Sequence, residues 1–509
     1  MKNSLNREVV DGFKPFVTSV EYKKYIPEYK AIKEKPTSND VVFLKDLDEL
    51  FTKYIHDNMT ISFHHHLRNG DGVLNMVVDY ITEKGIKGIH LAPSSLFPNN
   101  SKSMIKAVEA GTITKITTNY LSGDLSKTIG KGKLKELLVM ETHGGRARSI
   151  ETGELSIDLA ILATPTVDKI GNGTGRVGKN ACGIMGYAIS DLKYAKNVVL
   201  VSDTIVDKLL QYDFDHKYVD SILLVPSIGE ASGIVSGTTN ITKDPVGLKI
   251  ARDAAKLVKE LGMIKDGFSM QTGAGGTSLA VASYIKKEMV ENNIKGDFAS
   301  GGITSYFVDM MHEGLFNRLY DVQCFDLDAV KSSEEDKNHL MMDASMYGNP
   351  FYKGLEKGPI VNYLDLVVLG ATEIDLDFNV NVTTDSFGKI IGGSGGHSDT
   401  ANGAKVTLVT TTLTRSRIPV IKEHVTTIST PGSDIDVLVT ERGIAINPNR
   451  KDLLEKLKDT KLNIMPIYDL MKLSHKICGE PKEIKKGNKV VGVVKYRDGT
   501  VIDSIYNLE

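Results

Sequence analysis

Two apolar runs divide this chain into similar halves. Leu159–Ala163 reads LAILA and Leu366–Gly370 reads LVVLG, and a polar loop follows each run. Continuous apolar runs of this length predict strands that are buried on both faces of a sheet. Polar positions around the two runs match at a constant offset of 207, namely Asp158 with Asp365, Asp168 with Asp375, and Asn172 with Asn379. The chain therefore contains an internal repeat.

The repeat extends to both sides of these strands. The stretch MTISFHHHLRNGDGVLNMVVDYI from Met59 parallels DGFSMQTGAGGTSLAVASYI from Asp266, and VVLV at Val198 precedes VTLV at Val406 by 208 positions. Each copy reads as strand, glycine-containing loop, helix and strand, which predicts mostly parallel sheets. We predict an α/β protein with two tandem homologous three-layer domains, residues 45–240 and 241–509, joined near the polar stretch 236–247.

The two ends of the chain depart from the repeat. Residues 1–44 contain three prolines and many charges, which indicates an N-terminal arm that lies over a neighbouring element. At the other end, KVVGVVKYRDGTVIDSIYNL alternates apolar and polar residues around Asp498-Gly499. This pattern predicts a C-terminal β-hairpin with a tight turn.

Composition narrows the class of protein and its partners. The 509 residues exceed one ordinary core, apolar residues make up 41% and charged residues 25%, and the net charge is −2. This balance favours neither nucleic acid nor membrane, and no apolar run suits a signal peptide or a membrane span. Three widely spaced cysteines indicate a reducing cytoplasm, and no CxxC or HxxxH spacing suggests a metal site.

A dense glycine loop opens a helix of the second copy. In QTGAGGTS, Gly273, Gly275 and Gly276 precede Thr277. The loop lacks the GK[ST] of a nucleotide-triphosphate loop and the spacing of GxGxxG. Its backbone N–H groups suit an anion, or the oxyanion that forms during acyl transfer. The alternative is a tight strand–helix turn that needs glycine for packing.

Two loops of the first copy carry candidate binding groups. SFHHHLRNGDG places His64 and His66 on one face of a strand, where two histidines make a poor zinc site, and it adds Arg68, which suits a carboxylate. THGGRARS supplies Arg146 and Arg148. These two arginines suit a substrate with several carboxylates, or they form a solvated basic turn.

The loop GGSGGHSD of the second copy combines glycines with a histidine. Gly392, Gly393, Gly395 and Gly396 flank a serine, and His397 follows. Long glycine loops often serve binding. His397 is either an acid–base group or a hydrogen-bonding support. The sequence contains no GxSxG elbow and no cysteine beside a histidine partner, so a serine or cysteine nucleophile is not indicated.

Taken together, these motifs resemble a known superfamily. The duplicated α/β unit, the A-x-x-x-D-x-x-x-N strand and loop, the glycine loop before VTLV, and DVLVTERGIAINP (residues 436–448) resemble the coenzyme A transferases. FHHHLRNGD, THGGRARSIETGE, QTGAGG and the terminal YRDGTVIDSIY are similar to one family within it, the citrate lyase alpha subunits. The resemblance covers nearly the whole chain and implies domains of the coenzyme A transferase type.

The resemblance implies a reaction and its partners. Citrate would replace acetate on the acetyl thioester of an acyl carrier protein, giving a citryl thioester and acetate. A beta subunit would then cleave the citryl thioester, and a gamma subunit would carry the pantetheine-type thiol, for which coenzyme A can substitute. The chain itself would bind no cofactor or metal, would form homo- and hetero-oligomers, and would work in the cytoplasm.

One departure from the wider superfamily bears on mechanism. Many coenzyme A transferases use a Glu nucleophile in a T-E-M-F-S-D-G type strand end, whereas SGGITSYFVD (residues 300–309) places Gly301 at that position. The resemblance therefore implies direct attack of citrate on the thioester. Glu373 stands where the first copy has Val167 if Thr166 is matched, and it is the alternative nucleophile. A covalent transferase or acyl-CoA hydrolase using Glu373, and a non-enzymatic sugar-phosphate sensor, remain alternatives.

The predicted site residues fall into three groups. The catalytic group would stabilise the oxyanion or act as nucleophile, and it comprises Gly273, Gly275, Gly276, Gly301, Gly302 and Glu373. The substrate-binding group comprises Arg68, His66, Arg146, Arg148, Thr277 and His397. The coenzyme A or pantetheine group comprises Gly392, Gly393, Gly395 and Gly396.

Overall fold

The structure is a computed structural model of the chain. It describes residues 1–18, 31–37, 40–235, 240–273, 275–481 and 486–508. Parts of three predicted features lie outside these residues, namely 19–30 and 38–39 of the N-terminal arm, 236–239 of the joining stretch, and Ala274 of the glycine loop. Within the described ranges, every helix is too short or too polar to cross a membrane.

Strands and helices alternate along most of the chain. The strands are β1 (Val42–Leu44), β2 (Thr60–Ser62), β3 (Ile89–Leu91), β4 (Ile113–Thr118), β5 (Leu138–Met140), β6 (Leu159–Ala163), β7 (Thr166–Asp168), β8 (Gly173–Thr174), β9 (Asn197–Ser202), β10 (Ile205–Val206), β11 (Ser221–Leu224), β12 (Ser269–Thr272), β13 (Gly296–Ile303), β14 (Phe316–Cys324), β15 (His339–Met341), β16 (Leu366–Gly370), β17 (Glu373–Asp375), β18 (Val380–Asn381), β19 (Val406–Thr410), β20 (Thr414–Arg415), β21 (Ile418–Pro419), β22 (Ile421–Lys422), β23 (Val437–Val439), β24 (Ile444–Ile446), β25 (Lys486–Lys495) and β26 (Val501–Leu508). The α-helices are α1 (Leu47–Tyr54), α2 (Val73–Glu83), α3 (Ser101–Glu109), α4 (Leu125–Gly130), α5 (His143–Glu151), α6 (Ile189–Tyr194), α7 (Pro245–Glu260), α8 (Gly276–Glu291), α9 (Ser305–His312), α10 (Leu327–Glu335), α11 (Ala344–Gly348), α12 (His397–Gly403), α13 (Lys451–Lys456) and α14 (Ile467–Cys478).

The two large sheets share one internal strand order. The ten-stranded sheet runs β1-β11-β9-β6-β2-β3-β4-β5-β25-β26, and the eight-stranded sheet runs β15-β14-β13-β12-β16-β19-β23-β24. The run β11-β9-β6-β2-β3-β4-β5 of the first sheet corresponds to β23-β19-β16-β12-β13-β14-β15 of the second. In these sheets only β24 and β26 pair antiparallel among the described strands. The predicted α/β class with mostly parallel sheets is confirmed.

The repeated polar residues build equivalent turns. Asp168 Oδ1 accepts from the backbone N–H of Asn172 at 2.9 Å, and its Oδ2 accepts from Asn172 Nδ2 at 3.0 Å. Asp375 makes the same two bonds with Asn379 at 2.9 and 3.2 Å. These Asp–Asn pairs close the turns after β7 and β17, so the repeat preserves the scaffold here rather than a reactive group.

Apolar faces hold the helices and strands together. Every residue of β6 is buried, as are the first four of β16. Helix α2 turns a stripe of residues at helical spacing towards the core, namely Val73, Leu74, Val77, Val78 and Ile81. Burial of such side chains contributes roughly 1.5–3 kcal/mol each, which outweighs the weak intrinsic preferences of the segments.

Both ends of the chain join the first sheet. Asn3 Nδ2 donates to the carbonyls of Val501 and Ile502 at 3.1 and 2.8 Å, so the N-terminal arm lies along the C-terminal hairpin. Strand β25 of that hairpin pairs with β5, and β1 pairs with β11. The predicted segments 1–44 and 241–509 therefore both contribute strands to the sheet of the first half. The domain boundaries themselves stay a prediction.

Candidate active site

A cleft of about 480 Å³ opens between the two halves at the carboxyl ends of the second sheet's strands. Gln271 and Thr272 end β12, and Gly370 ends β16. The first half contributes Tyr120, His143 and Tyr187. Ligands collect at this edge of parallel sheets, so the cleft is the candidate active site. The predicted site residues that line it are Gly273, Gly302, Gly393, Gly396 and His397.

A hydrogen-bonded chain of side chains reaches the cleft. Ser300 Oγ donates to Gln271 Oε1 at 3.1 Å, and Gln271 Nε2 donates to the Tyr347 hydroxyl at 3.0 Å. Because the Tyr347 oxygen accepts this bond, its own proton remains available to a ligand. Burial raises the pKa of Tyr347, so the hydroxyl stays protonated. The pair can therefore donate to a negative oxygen in the cleft.

Gly301 fixes the position of Gln271. The residue has a φ of 105°, and a β-bulge shifts the register of β13 against β14 between Gly301 and Gly302. A Cβ on Gly301 would lie 2.6 Å from the Gln271 side chain, and one on Gly302 would overlap the Phe325 ring. Both the backbone conformation and the close approach require glycine here.

The glycine loop predicted to bind an oxyanion lies only partly at the cleft. Gly273 lines the cleft, but its N–H donates to the Val368 carbonyl at 2.8 Å. Gly276 and Thr277 instead pack against residues 240–247. Gly275 is the N-cap of α8, whose first-turn N–H groups lack partners within the helix. The catalytic role of these glycines stays a prediction.

The second glycine loop packs tightly against the first half. His143 N–H donates to the Gly395 carbonyl at 2.9 Å. A Cβ on Gly393 would overlap the Asn119 carbonyl, and one on Gly396 would overlap the Tyr347 hydroxyl. A Cβ on Gly392 would lie 2.7 Å from the Val382 carbonyl oxygen. Only glycine lets this loop form the wall of the cleft.

Asp399 ties the same loop to α5. Its carboxylate accepts from Thr142 Oγ1 and from the Gly144 N–H, both at 2.9 Å. Burial raises the pKa of Asp399 to about 6, and Arg497 opposes the rise. The interaction joins the N-terminus of α5 in the first half to α12 in the second, and so it fixes the width of the cleft.

The prediction that His64 and His66 lie on one face of a strand is wrong, because β2 ends at Ser62; the two rings instead contact each other and hold Tyr187 in place. Because a carbonyl can only accept, His64 Nε2 donates to the Ala163 carbonyl at 2.7 Å, and His64 Nδ1 accepts from His66 Nδ1 at 2.8 Å. His66 Nε2 then accepts from the Tyr187 N–H at 3.4 Å. Burial lowers the pKa of His64 to about 4. These neutral rings lie behind the cleft rather than in it.

His143 faces the cleft as a neutral imidazole. Its ring stacks on Tyr187 with centroids 4.1 Å apart. Burial, with Arg146 nearby, lowers the pKa of His143 to about 3. In the described part of the chain, its buried Nδ1 has no hydrogen-bond partner. This nitrogen is therefore free to interact with a bound substrate.

His397 has both ring nitrogens occupied. Nε2 donates to the Gly370 carbonyl at 3.0 Å, which leaves Nδ1 to accept from Thr430 Oγ1 at 2.7 Å. Burial lowers the pKa of His397 to about 4. Of the two roles open from the sequence, these bonds favour the hydrogen-bonding support.

Arg68 is a partly desolvated cation beside the cleft. Its guanidinium carbon lies 5.4 Å from the centroid of Phe97 and 4.8 Å from that of Phe325, which lines the cleft. Nη1 is buried without a hydrogen-bond partner, and the described residues offer Arg68 no ion pair. Burial lowers the pKa of Arg68, with Tyr120 and Tyr187 opposing. The side chain is therefore available to a carboxylate.

Arg146 and Arg148 are already paired with carboxylates of the protein. Both nitrogens of the Arg146 fork bind Asp191 at 2.7 Å, and Nη2 also donates to the Ala92 carbonyl at 2.6 Å. Arg148 binds Glu154 at 2.7 Å, beside the C-terminal hairpin. Neither side chain lines the cleft. Their predicted role in citrate binding gains no support from this placement.

Glu373 is sealed away from the cleft. Lys422 forms an ion pair with it, Asn381 Nδ2 donates to it at 2.9 Å, and the Thr426 N–H donates at 2.8 Å. The residue is fully buried. Burial raises the pKa of Glu373, but Lys422 and the hydrogen-bond donors such as Asn381 together outweigh this effect, and the net pKa is lowered. A carboxylate held in this way stabilises the fold and does not face a substrate.

The described residues contain one cluster with metal-ligand spacing, formed by Asp321, Cys324 and His339. His339 Nε2 and Cys324 Sγ both bind Asp321 Oδ2, at 2.9 and 3.1 Å. Asp321 Oδ1 accepts from the Gln323 N–H at 2.8 Å. The three side chains thus satisfy one another as a buried hydrogen-bonding network.

Sequence reasoning missed several residues of the cleft, namely Tyr120, Tyr187, Gln271, Phe325, Tyr347 and Arg415. Gln271 is the first residue of the QTGAGG motif, and that motif is the one sequence signal that could have identified this residue. The aromatic residues are scattered along the chain, and no pattern of spacing marks them. Only the fold brings them together.

The fold is of the class that an acyl-CoA transferase also adopts. A crystal structure of an Escherichia coli O157:H7 acyl-CoA transferase superposes with a TM-score of 0.55 at 14% identity, covering 86% of this chain and 96% of that one. The shared architecture places the cleft at the meeting of two related α/β halves.

Within that class, the chain belongs to the citrate lyase alpha subunit family. The family model described as citrate lyase, alpha subunit, matches residues 40–508. A citrate lyase alpha chain from Haemophilus influenzae is 42% identical over 93% of this chain and 94% of its own. A crystal structure of a citrate lyase alpha subunit from Streptococcus mutans in complex with citrate is 42% identical, has a TM-score of 0.94 and is covered completely. The predicted family and its transferase function are confirmed.

Proposed function

We propose that the cleft between the two halves catalyses acyl exchange without a protein nucleophile. A citrate carboxylate attacks the acetyl thioester, forming a mixed anhydride and releasing the thiolate. The thiolate then attacks the citryl carbonyl of the anhydride, giving the citryl thioester and acetate. All atoms balance between the two reactants and the two products.

The observation that carries this mechanism is the chemistry of the cleft wall. Among the described residues that line it, none is a carboxylate or a cysteine. Glu373, the alternative nucleophile, is buried and held by Lys422. A glutamyl thioester at Glu373 would require this ion pair to break and would leave the Lys422 ammonium buried without a partner, which is strongly unfavourable. The covalent alternative is therefore not favoured.

Citrate would be held by Arg68. Its planar guanidinium recognises carboxylates in pairs, and this arginine lacks a carboxylate partner of its own among the described residues. Its position behind Phe325 places it beside the cleft. Tyr120 and Tyr187 close the same region of the cleft.

The thioester oxygen would face Gln271 and Tyr347. These neutral donors are already positioned by Ser300 and by Gly301, so little reorganisation accompanies charge development. Each donor to a developing oxyanion contributes roughly 3–4 kcal/mol in well-studied acyl-transfer enzymes. The pantetheine arm would run along the glycine backbone at Gly393 and Gly396, which lines the cleft.

The proposal extends to the partners and the compartment. Membership of the family supports association with a beta subunit and a gamma acyl carrier subunit, and assembly as homo- and hetero-oligomers. The carrier or coenzyme A thioester is a substrate rather than a resident cofactor. A cytoplasmic location is supported by Cys182, Cys324 and Cys478, which are all free thiols.

The test is an exchange assay with the purified chain, acetyl-CoA and citrate. We expect citryl-CoA and acetate to form in equal amounts, and mass spectrometry measures both products. Glutarate, which is citrate without the central carboxylate and the hydroxyl, is the matched control for these two groups. Hydrolysis of acetyl-CoA without citryl-CoA would favour a hydrolase, and the absence of any reaction with every carboxylate would favour a sensor.

A further inference from the structure

One exposed arginine at the cleft has no role in the reaction described above. Among the described residues that line the cleft, Arg415 is the single lysine or arginine. Its side chain is exposed, and its Nη2 makes one long hydrogen bond, 3.3 Å, to the Ala371 carbonyl. The described part of the chain contains no carboxylate that pairs with it. Arg415 therefore presents a full positive charge at the mouth of the cleft.

A strained hairpin holds Arg415 in this place. Strands β20 and β21 pair Arg415 with Ile418, and a two-residue turn joins them. Both turn residues, Ser416 and Arg417, have positive φ, 48° and 63°. Turns of this geometry normally use Asn-Gly, and each non-glycine residue in this region costs about 1–2 kcal/mol. Strain of this kind is retained where a particular position of the chain is useful.

We infer that Arg415 binds the phosphate group attached to the pantetheine arm of the acyl thioester. The inference rests on the proposed acyl exchange. In a pantetheine-type thioester, two amide units separate the reacting carbonyl from the phosphate. With the carbonyl at Gln271 and Tyr347, the phosphate must lie towards solvent, where Arg415 lines the mouth. A guanidinium suits a phosphate because its two parallel N–H groups match two oxygens.

This assignment divides the two anionic reactants between two arginines. Arg68 is partly buried between aromatic rings, where a small polycarboxylate can be desolvated. Arg415 is exposed, where only a group outside the reacting part of the substrate needs to reach it. The inference therefore predicts that loss of Arg415 affects one substrate and spares the other.

The experiment measures KM values for Arg415→Gln with three acetyl thioesters. Acetyl-CoA and acetyl-phosphopantetheine carry the phosphate, and acetyl-pantetheine lacks it. We expect Arg415→Gln to raise KM about tenfold or more for the first two and to leave KM for acetyl-pantetheine and for citrate unchanged. Arg417→Gln is the matched control, since this arginine belongs to the same hairpin without lining the cleft, and it should leave all KM values unchanged.

Several kinetic results would overturn the inference. They are equal effects of the Arg415 and Arg417 changes, an effect that persists with acetyl-pantetheine, and an increase in the KM for citrate instead. An effect confined to acetyl-CoA would place Arg415 on the nucleotide and would also contradict it.

Failure of the exchange reaction itself is distinguished by binding. Calorimetric titration with coenzyme A and with pantetheine needs no turnover. We expect Arg415→Gln to weaken coenzyme A binding about tenfold and to leave pantetheine binding unchanged. Equal coenzyme A affinities of the variant and the unaltered chain would refute the inference whatever the reaction is.

Discussion

The loops after β2 and β12 occupy equivalent places in the two sheets but have diverged completely. The first carries His64, His66 and Arg68, and its rings are locked by hydrogen bonds to one another and to Tyr187. The second begins directly after Gln271 and Thr272 at the end of β12, is rich in glycine, and opens onto the cleft. The turns Asp168–Asn172 and Asp375–Asn379, by contrast, keep identical hydrogen bonds. Duplication thus preserved the scaffold, whereas the loops at the carboxyl ends of the strands diverged. The loop after β2 supplies the charged side chain of Arg68, and the loop after β12 supplies mainly glycine backbone.

The largest effect should come from Arg146, which stabilises the fold of the first half, rather than from an arginine that binds substrate. Arg146→Ala leaves the fully buried Asp191 carboxylate without its partner and should cost about 3–5 kcal/mol of unfolding free energy. Chemical denaturation measures this. Arg148→Ala is the control and should cost less, because the Glu154 side chain is 41% exposed. If Arg146→Ala left the unfolding free energy unchanged and raised only the KM for citrate, Arg146 would belong to the citrate site.

The second largest effect should come from Gly301, the glycine of the second half that contacts Gln271. Gly301→Ala strains a residue at φ 105° and displaces Gln271, so kcat should fall about a hundredfold or more. Gly370→Ala is the matched control, because Gly370 lines the same cleft and open space surrounds the position of a new Cβ. Similar losses of kcat in both variants would show that the Gln271 position is not what matters.

Arg68, in the loop after β2, should set the affinity for citrate. Arg68→Gln removes the unpaired guanidinium and should raise the KM for citrate about tenfold to a hundredfold, with a small change for acetyl-CoA. Arg68→Lys keeps the charge without the planar fork and should fall between. Steady-state kinetics with each substrate varied in turn separates these effects. Equal increases in both KM values would remove Arg68 from the citrate site.

The smallest effect should be a pH dependence of stability in the loop that contains Arg68. Burial raises the pKa of Asp71 to about 7. Between about pH 7 and pH 4 the folded chain binds a proton there that the unfolded chain has lost, so this group stabilises the fold as the pH falls. Asp71→Asn should remove about 1–2 kcal/mol of that pH-dependent gain. Parallel unfolding curves of both proteins across this range would contradict the shift.

The internal repeat and the mostly parallel α/β class could be predicted from the sequence, because buried parallel strands require continuous apolar runs. It also located two glycine loops that meet at the cleft. It misplaced the equivalence of Glu373, since the pairing of β17 with β18 matches Glu373 to Thr166 rather than to Val167. The partners of Arg146, Glu373 and His397 are distant in the chain. Whether such a charge is free or neutralised depends on tertiary contacts that no local pattern records.

The central claim is that no group of the protein is acylated, and oxygen transfer in a single turnover tests it most directly. With enzyme in excess, acetyl-CoA is mixed with citrate labelled with oxygen-18 in its carboxylates, and the acetate is analysed by mass spectrometry. Direct attack predicts that the acetate of this first turnover carries one labelled oxygen from citrate. Unlabelled acetate, with the label left on a glutamate of the protein, would contradict the account.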